Sequence, residues 1–139
     1  MKKWLIILVG LLLLSSCESQ ISLSEIKFKH LPMNVYTYFD QVRQYNGNYL
    51  YFYDKDTLYV FFNRYTVIQG EELEYVTDVQ VEVDGETLSI YVNQQKTDDY
   101  NQNTFNPHVL YQLKVNAPVH TIKIFNNGKE SHFDGVSGN

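Results

Sequence analysis

Hydrophobic and polar positions change their period along this chain, and each change marks a different element. From Trp4 to Leu14 the chain is continuously apolar, behind Met1-Lys2-Lys3. Ile26, Phe28 and Leu31 then alternate with Lys27, Lys29 and His30, which predicts a first strand ending at Pro32. After the proline, Val35, Tyr38, Phe39, Val42 and Tyr45 fall at steps of three and four, the spacing of one helix face. One short helix is predicted over 33–45, stopped by Asn46-Gly47.

From Asn48 onward the period is two. Tyr49–Tyr53 and Leu58–Phe62 read as paired strands around Asp54-Lys55-Asp56-Thr57. With Tyr53 opposite Leu58, one face carries Tyr49, Tyr51, Tyr53, Leu58, Val60 and Phe62, and the other Leu50, Phe52, Tyr59 and Phe61. Both faces are apolar, so the pair is expected to be covered on both sides, with the helix as one lid; the alternative is an aromatic surface left for a partner. Val79, Val81 and Val83, then Asp84-Gly85, then Leu88, Ile90 and Val92 predict a hairpin. Placing Val83 opposite Glu86 sets Val81 against Leu88 and Val79 against Ile90 on an inner face.

Pro107–Val115 and Val119–Phe125 read as two more strands around Ala117-Pro118. Arg64–Glu74, with Gly70 at its centre, and the polar run Asn93–Asn106, with Asp98 and Asp99, are the expected loops. The tail from 127 to 139 is expected to be loose. The fold class these elements predict is mainly β: a small antiparallel β-sandwich or curled sheet of about six to eight strands with one short N-terminal helix, an α+β arrangement being the alternative.

The N-terminal sixteen residues have the parts of an export signal: two lysines, an apolar core and small residues before a cleavage point. Eleven apolar residues fall well short of the roughly 20 a membrane-spanning helix needs. Leu14-Ser15-Ser16-Cys17 resembles the lipobox of bacterial lipoproteins, in which the cysteine is lipidated and becomes the first residue. An ordinary signal-peptidase site prefers small residues at the third and first positions before the cut, and Leu14 fits that poorly. The resemblance implies at least two acyl chains on Cys17, enough for stable anchoring. The expected organisation is a signal peptide at 1–16, a lipidated spacer at 17–24, one β-rich domain at 25–126 and the tail. The expected location is the cell membrane, lipid-anchored and outside the cytoplasm.

Taking residues 1–16 from the 139, with Lys2 and Lys3, leaves 123 residues and nine basic against sixteen acidic side chains, a net charge of −7. An acidic domain without a basic cluster argues against nucleic acid as a partner. Cys17 is the only cysteine, so the domain behind it has no disulfide, no thiol nucleophile and no thiolate metal site. Neither the motifs of common hydrolases nor nucleotide-binding loops occur. His30, His108, His120 and His132 are scattered without ligand spacing, and Asp54 and Asp56 flank a turn, where aspartate bonds the backbone. No cofactor or metal is expected.

The segment Thr104-Phe105-Asn106-Pro107-His108-Val109-Leu110-Tyr111-Gln112-Leu113, taken with the strand pair and hairpin before it, is similar to the PrcB-type protease-complex domain, a small β-rich module of bacterial secreted proteins and lipoproteins. The similarity covers roughly 58–125. Where that family carries Thr-Gly-Gly-Tyr, this chain has Thr66-Val67-Ile68-Gln69-Gly70. What the resemblance implies is a non-catalytic module that supports or modulates an extracytoplasmic protease.

Two functions follow as expectations. One is a membrane-tethered binding or scaffold lipoprotein without catalysis, using Tyr49, Tyr51 and Tyr53 or the loops at Gly70, Asp98 and Asp99 to hold an envelope protein such as a protease, or a glycan. The other is an envelope-associated hydrolase whose acid and base come from scattered carboxylates and histidines.

Overall fold

The computed structural model describes residues 20–64, 70, 72–98 and 106–139. They form nine strands, one α-helix and one short 3-10 turn, in two mixed sheets. The mainly β class is as the sequence predicts.

The five-stranded sheet contains β1 (Ile21–Glu25), β2 (Gly47–Phe52), β3 (Thr57–Asn63), β6 (His108–Val115) and β9 (Gly135–Gly138), in the order β1-β6-β3-β2-β9. The four-stranded sheet contains β4 (Leu73–Asp84), β5 (Thr87–Thr97), β7 (Thr121–Asn126) and β8 (Lys129–Glu130), in the order β4-β5-β7-β8. Most pairings are antiparallel, but β2 with β9 and β5 with β7 are parallel.

Three layers result. Leu50, Leu58, Val60, Phe62, Val109 and Leu113 of the first sheet pack against Val79, Leu88, Ile90, Val92 and Ile124 of the second. On the other face of the five-stranded sheet lies α1 (Met33–Gln41), whose Val35 and Phe39 are fully buried against Tyr49, Tyr51, Tyr59, Phe61 and Leu110. Strand β3, at the centre of the larger sheet, is buried at all seven positions, which is why its sequence is apolar on both sides of the pleat. Phe61 meets Phe28, Phe39 and Tyr49 with ring centroids 5.2–6.0 Å apart.

Several expectations are corrected. The first strand is Ile21–Glu25, paired with β6 from Ile21↔Val115 to Glu25↔Tyr111, so the second half of the expected spacer is sheet. Phe28–His30 is a 3-10 turn that brings Phe28 over the helix side of the larger sheet, so the expected strand is not formed there. In the aromatic pair Phe52, not Tyr53, stands opposite Leu58. Tyr53 and Asp54 both donate to the Thr57 carbonyl, and closing the turn on Thr57 moves the register by one, so Tyr49 and Tyr51 share a face with Tyr59 and Phe61.

The valine hairpin keeps its inner face, but Val83 pairs with Leu88, Val81 with Ile90 and Val79 with Val92, around a Gly85-Glu86 turn. β5 continues through Asn93–Thr97, which pairs with the start of β4. Those polar residues lie in a long hairpin arm, not in the expected loop. The tail is not loose. Asn127 and Gly128 both have positive φ, the signature of a tight two-residue hairpin turn into β8. The chain then returns as β9, parallel to β2 from Tyr49↔Gly135 to Phe52↔Gly138. Gly135 is needed there: a Cβ would stand 2.5 Å from the Tyr38 hydroxyl and 3.0 Å from the Tyr49 ring.

Candidate functional site

The aromatic face expected from Tyr49, Tyr51 and Tyr53 is brought together but covered. Tyr49 and Tyr51 are buried beneath α1 and beside β9, and Tyr53 is half-buried against Tyr59. Their hydroxyls serve the interior. Tyr51 Oη donates to Asn139 Oδ1 at 2.6 Å, and Tyr49 Oη to the Tyr45 carbonyl at 2.8 Å. Burial raises the Tyr49 phenol above its ordinary pKa, with the nearby Asp134 carboxylate adding to the rise. These tyrosines are core, because the one-residue register shift turns them toward the helix.

Gly70 and Asp98 are exposed beside the ends of β4 and β5. Cys17 and Asp99 lie outside the described residues, as do 66–69 of the segment likened to the Thr-Gly-Gly-Tyr turn. Asp54 organises its turn by accepting from the Asp56 amide at 2.9 Å. That bond holds its carboxyl below the ordinary carboxylate pKa. Among the described residues no group of three or more His, Cys, Asp or Glu is placed to hold a metal ion. His120 stands 3.7 Å from Glu86 and His132 3.3 Å from Asp134, both pairs on exposed surface.

At the end of the sheets near Gly70 and Asp98, the chain buries one cation. Arg64 is 9 % exposed. Its Nε donates to Gln94 Oε1 at 2.7 Å, one terminal nitrogen to the Gly47 and Asn63 carbonyls at 3.0 Å each, and the other to Asn48 Oδ1 at 2.8 Å. Asp134 is tied to the same corner by accepting from the Asn48 amide at 2.8 Å. The planar guanidinium thus joins both sheets, using the fork geometry that an ammonium lacks. Burial lowers its pKa, and Glu74 and Asp134 oppose that shift. Neither the arginine geometry nor its partners were legible in the sequence, because Gly47, Asn48 and Asn63 meet only through the β2/β3 pairing and Gln94 comes from the other sheet.

A second candidate is the outer face of the four-stranded sheet. Tyr91 and Phe125 are neighbours across the parallel β5/β7 pair and stack with centroids 5.2 Å apart and planes 17° apart. Both are half-exposed. Register places Gln80, Tyr91, Phe125 and Glu130 in one row across the face, with Glu82, Ser89 and Lys123 in the next. Tyr91 Oη donates to Glu82 Oε2 at 3.2 Å. With Asp78 and Asp84 also on this side of β4, the platform has an acidic rim. The signal for it was available in the sequence: Tyr91 and Phe125 are aromatic rings at positions the alternation assigns to water. Stacked rings within a polar frame can hold a flat or planar group by contact and hydrogen bonding, without proton transfer.

No protein-family model matches this chain, and neither a curated protein nor a solved structure matches it.

Proposed function

We propose that this protein is a lipid-anchored binding module of the bacterial cell envelope, tethered through Cys17 and without catalysis of its own. The anchor rests on Leu14-Ser15-Ser16-Cys17 behind a lysine-led apolar run, followed four residues later by the first strand of the folded domain. The binding role rests on one observation, the half-exposed Tyr91–Phe125 stack framed by Gln80, Glu82 and Lys123. An aromatic platform with hydrogen-bonding neighbours is the composition of a recognition surface. Its acidic rim favours a partner with a basic contact surface, and the resemblance over 58–125 makes an extracytoplasmic protease the partner class to seek first.

Metabolic labelling with a fatty-acid analogue tests the anchor: label on the wild type and none on Cys17→Ser is expected, and an unlabelled wild type refutes it. Affinity capture from the protein's own membranes tests the binding role. A partner recovered by the wild type and lost with Tyr91→Ala plus Phe125→Ala supports the platform. Equal recovery by both places recognition elsewhere.

A further inference from the structure

The place where the chain enters the fold, taken with the proposed lipid anchor on which this inference rests, determines how the domain stands on the membrane. Only Glu18, Ser19 and Gln20 separate Cys17 from Ile21. Four Cα steps of at most about 3.6 Å limit the separation of Cys17 and Ile21 to roughly 14 Å. Ile21 is no free end. It pairs with Val115 at the edge of the five-stranded sheet, and the Asn116 amide donates to the Gln20 carbonyl at 2.7 Å.

The same end of the sheet carries the Tyr53–Asp56 turn, since the Val115 amide donates to the Asp56 carbonyl at 2.8 Å. The 116–120 connection and the Gly85-Glu86 turn reach it too, through the bond from the His120 amide to the Glu86 carbonyl at 2.8 Å. The Arg64 cluster and the Gly70 and Asp98 loops lie at the other end. β6 runs from Val115 at this base to His108, a length of about 23 Å at ~3.3 Å per residue. His108 pairs with Asn63, next to the buried Arg64, and Gln94 bonds Arg64 from β5 three residues before Thr97. Gly70 and Asp98 therefore belong to the far end.

We propose that the domain stands end-on. The base formed by Gln20, Lys55, Lys114, Asn116 and Pro118 lies against the phospholipid headgroups, and the Gly70 and Asp98 end is held away from them. The base carries Lys55, Lys114 and His120 against Asp54, Asp56 and Glu86, nearly balanced in charge, so the tether sets the contact and electrostatic attraction does not. The occupant of this surface is thus the membrane in which Cys17 is anchored. The outer face of the four-stranded sheet, whose strands run from base to far end, is left open sideways to a partner in the same membrane.

The test uses the full lipidated chain in vesicles of phosphatidylethanolamine and phosphatidylglycerol containing headgroup spin-labelled lipid. Lys55→Cys and Asp98→Cys each receive a thiol fluorophore, the acylated Cys17 leaving no competing thiol. Paramagnetic quenching is expected to be several-fold stronger at position 55 than at position 98, at low and at high salt. A flexible Gly/Ser insert of about twelve residues after Glu18, with a mean reach of roughly 20 Å, should erase most of that difference. A chain that floats with the vesicles but is quenched equally at both positions, or more strongly at 98, overturns the orientation alone. Persistence of the full difference in the insert variant overturns the tether as its cause. A chain that fails to float overturns the anchor and the orientation together.

Discussion

Truncating Arg64 is the sharpest test of how the two sheets are held. In Arg64→Ala the Gly47 and Asn63 carbonyls and Asn48 Oδ1 each lose one charge-assisted hydrogen bond, while Gln94 can turn toward water. A hydrogen bond to a charged group is worth about 1.5–3 kcal/mol, which for three gives a gross loss of roughly 4.5–9 kcal/mol. Removing the guanidinium also removes its desolvation penalty, which brings the net down to ~3–5 kcal/mol. Against a total of about 5–15 kcal/mol, that is a large fraction of the stability of a domain this size. At roughly 3–5 °C per kcal/mol, Tm should fall by about 10–20 °C, followed by circular dichroism. Arg64→Lys keeps the charge but cannot span the acceptors in both sheets, and should recover less than half of the loss. Arg43→Ala, which removes a partly exposed cation 3.9 Å above the Phe28 ring, should cost less than about 1 kcal/mol. A Tm within ~3 °C of wild type in Arg64→Ala, or full rescue by lysine, would refute the claim that the fork joins the sheets.

Gly135→Ala should loosen β9 by forcing its new methyl against Tyr38 and Tyr49, at a cost of about 1–3 kcal/mol, read by urea unfolding and by faster proteolytic clipping of the tail. His108 should make the domain acid-sensitive. Burial and the Arg43 charge lower its pKa in the folded state, so below about pH 6.5 the unfolded chain takes up a proton that the folded chain resists. Stability is then fully present above the unfolded pKa and declines as pH falls toward the folded one; a wild type no steeper than His108→Gln in that window would count against it. Tyr91→Ala should lower stability by no more than about 1 kcal/mol, since the ring is half-exposed, while weakening partner capture at least several-fold. A large stability loss with unchanged capture would make the stack structural.

Sequence periodicity found the helix and the inner face of the valine hairpin, although it misplaced that hairpin's pairing and read a strand over 26–31 where a 3-10 turn forms. The helix beginning at Met33 and the valine hairpin were legible because their polar faces declare the period. It failed on the aromatic pair for a physical reason. With both faces apolar, neither register leaves a charge in the core, and only the length of the turn at Tyr53–Asp56 decides between them. The tail escaped notice because β9, Gly-Val-Ser-Gly, has almost no side chains with which to announce a strand. Its place is fixed by close backbone approach to β2 and by Asn139, which reaches Asn34, Tyr51 and the Tyr53 carbonyl. The polar arm Asn93–Thr97 reads as loop for a similar reason, its pairing being satisfied by backbone and by contacts such as Gln94 with Arg64.

The flanks of the five-stranded sheet come from opposite extremes of the domain, β1 from its first residues and β9 from its last. Central β3 can pair early with β2 through a short turn, but β6 must arrive from some fifty residues away to bring β1 and β3 together. Such distant pairings carry a loop-closure cost before their contacts form, which slows folding. A chain emerging N-terminus first would therefore hold β1 without a strand neighbour until β6 had followed, and the opposite edge would wait for Gly135–Gly138. Completion of this sheet is an event that belongs after β9 has been made.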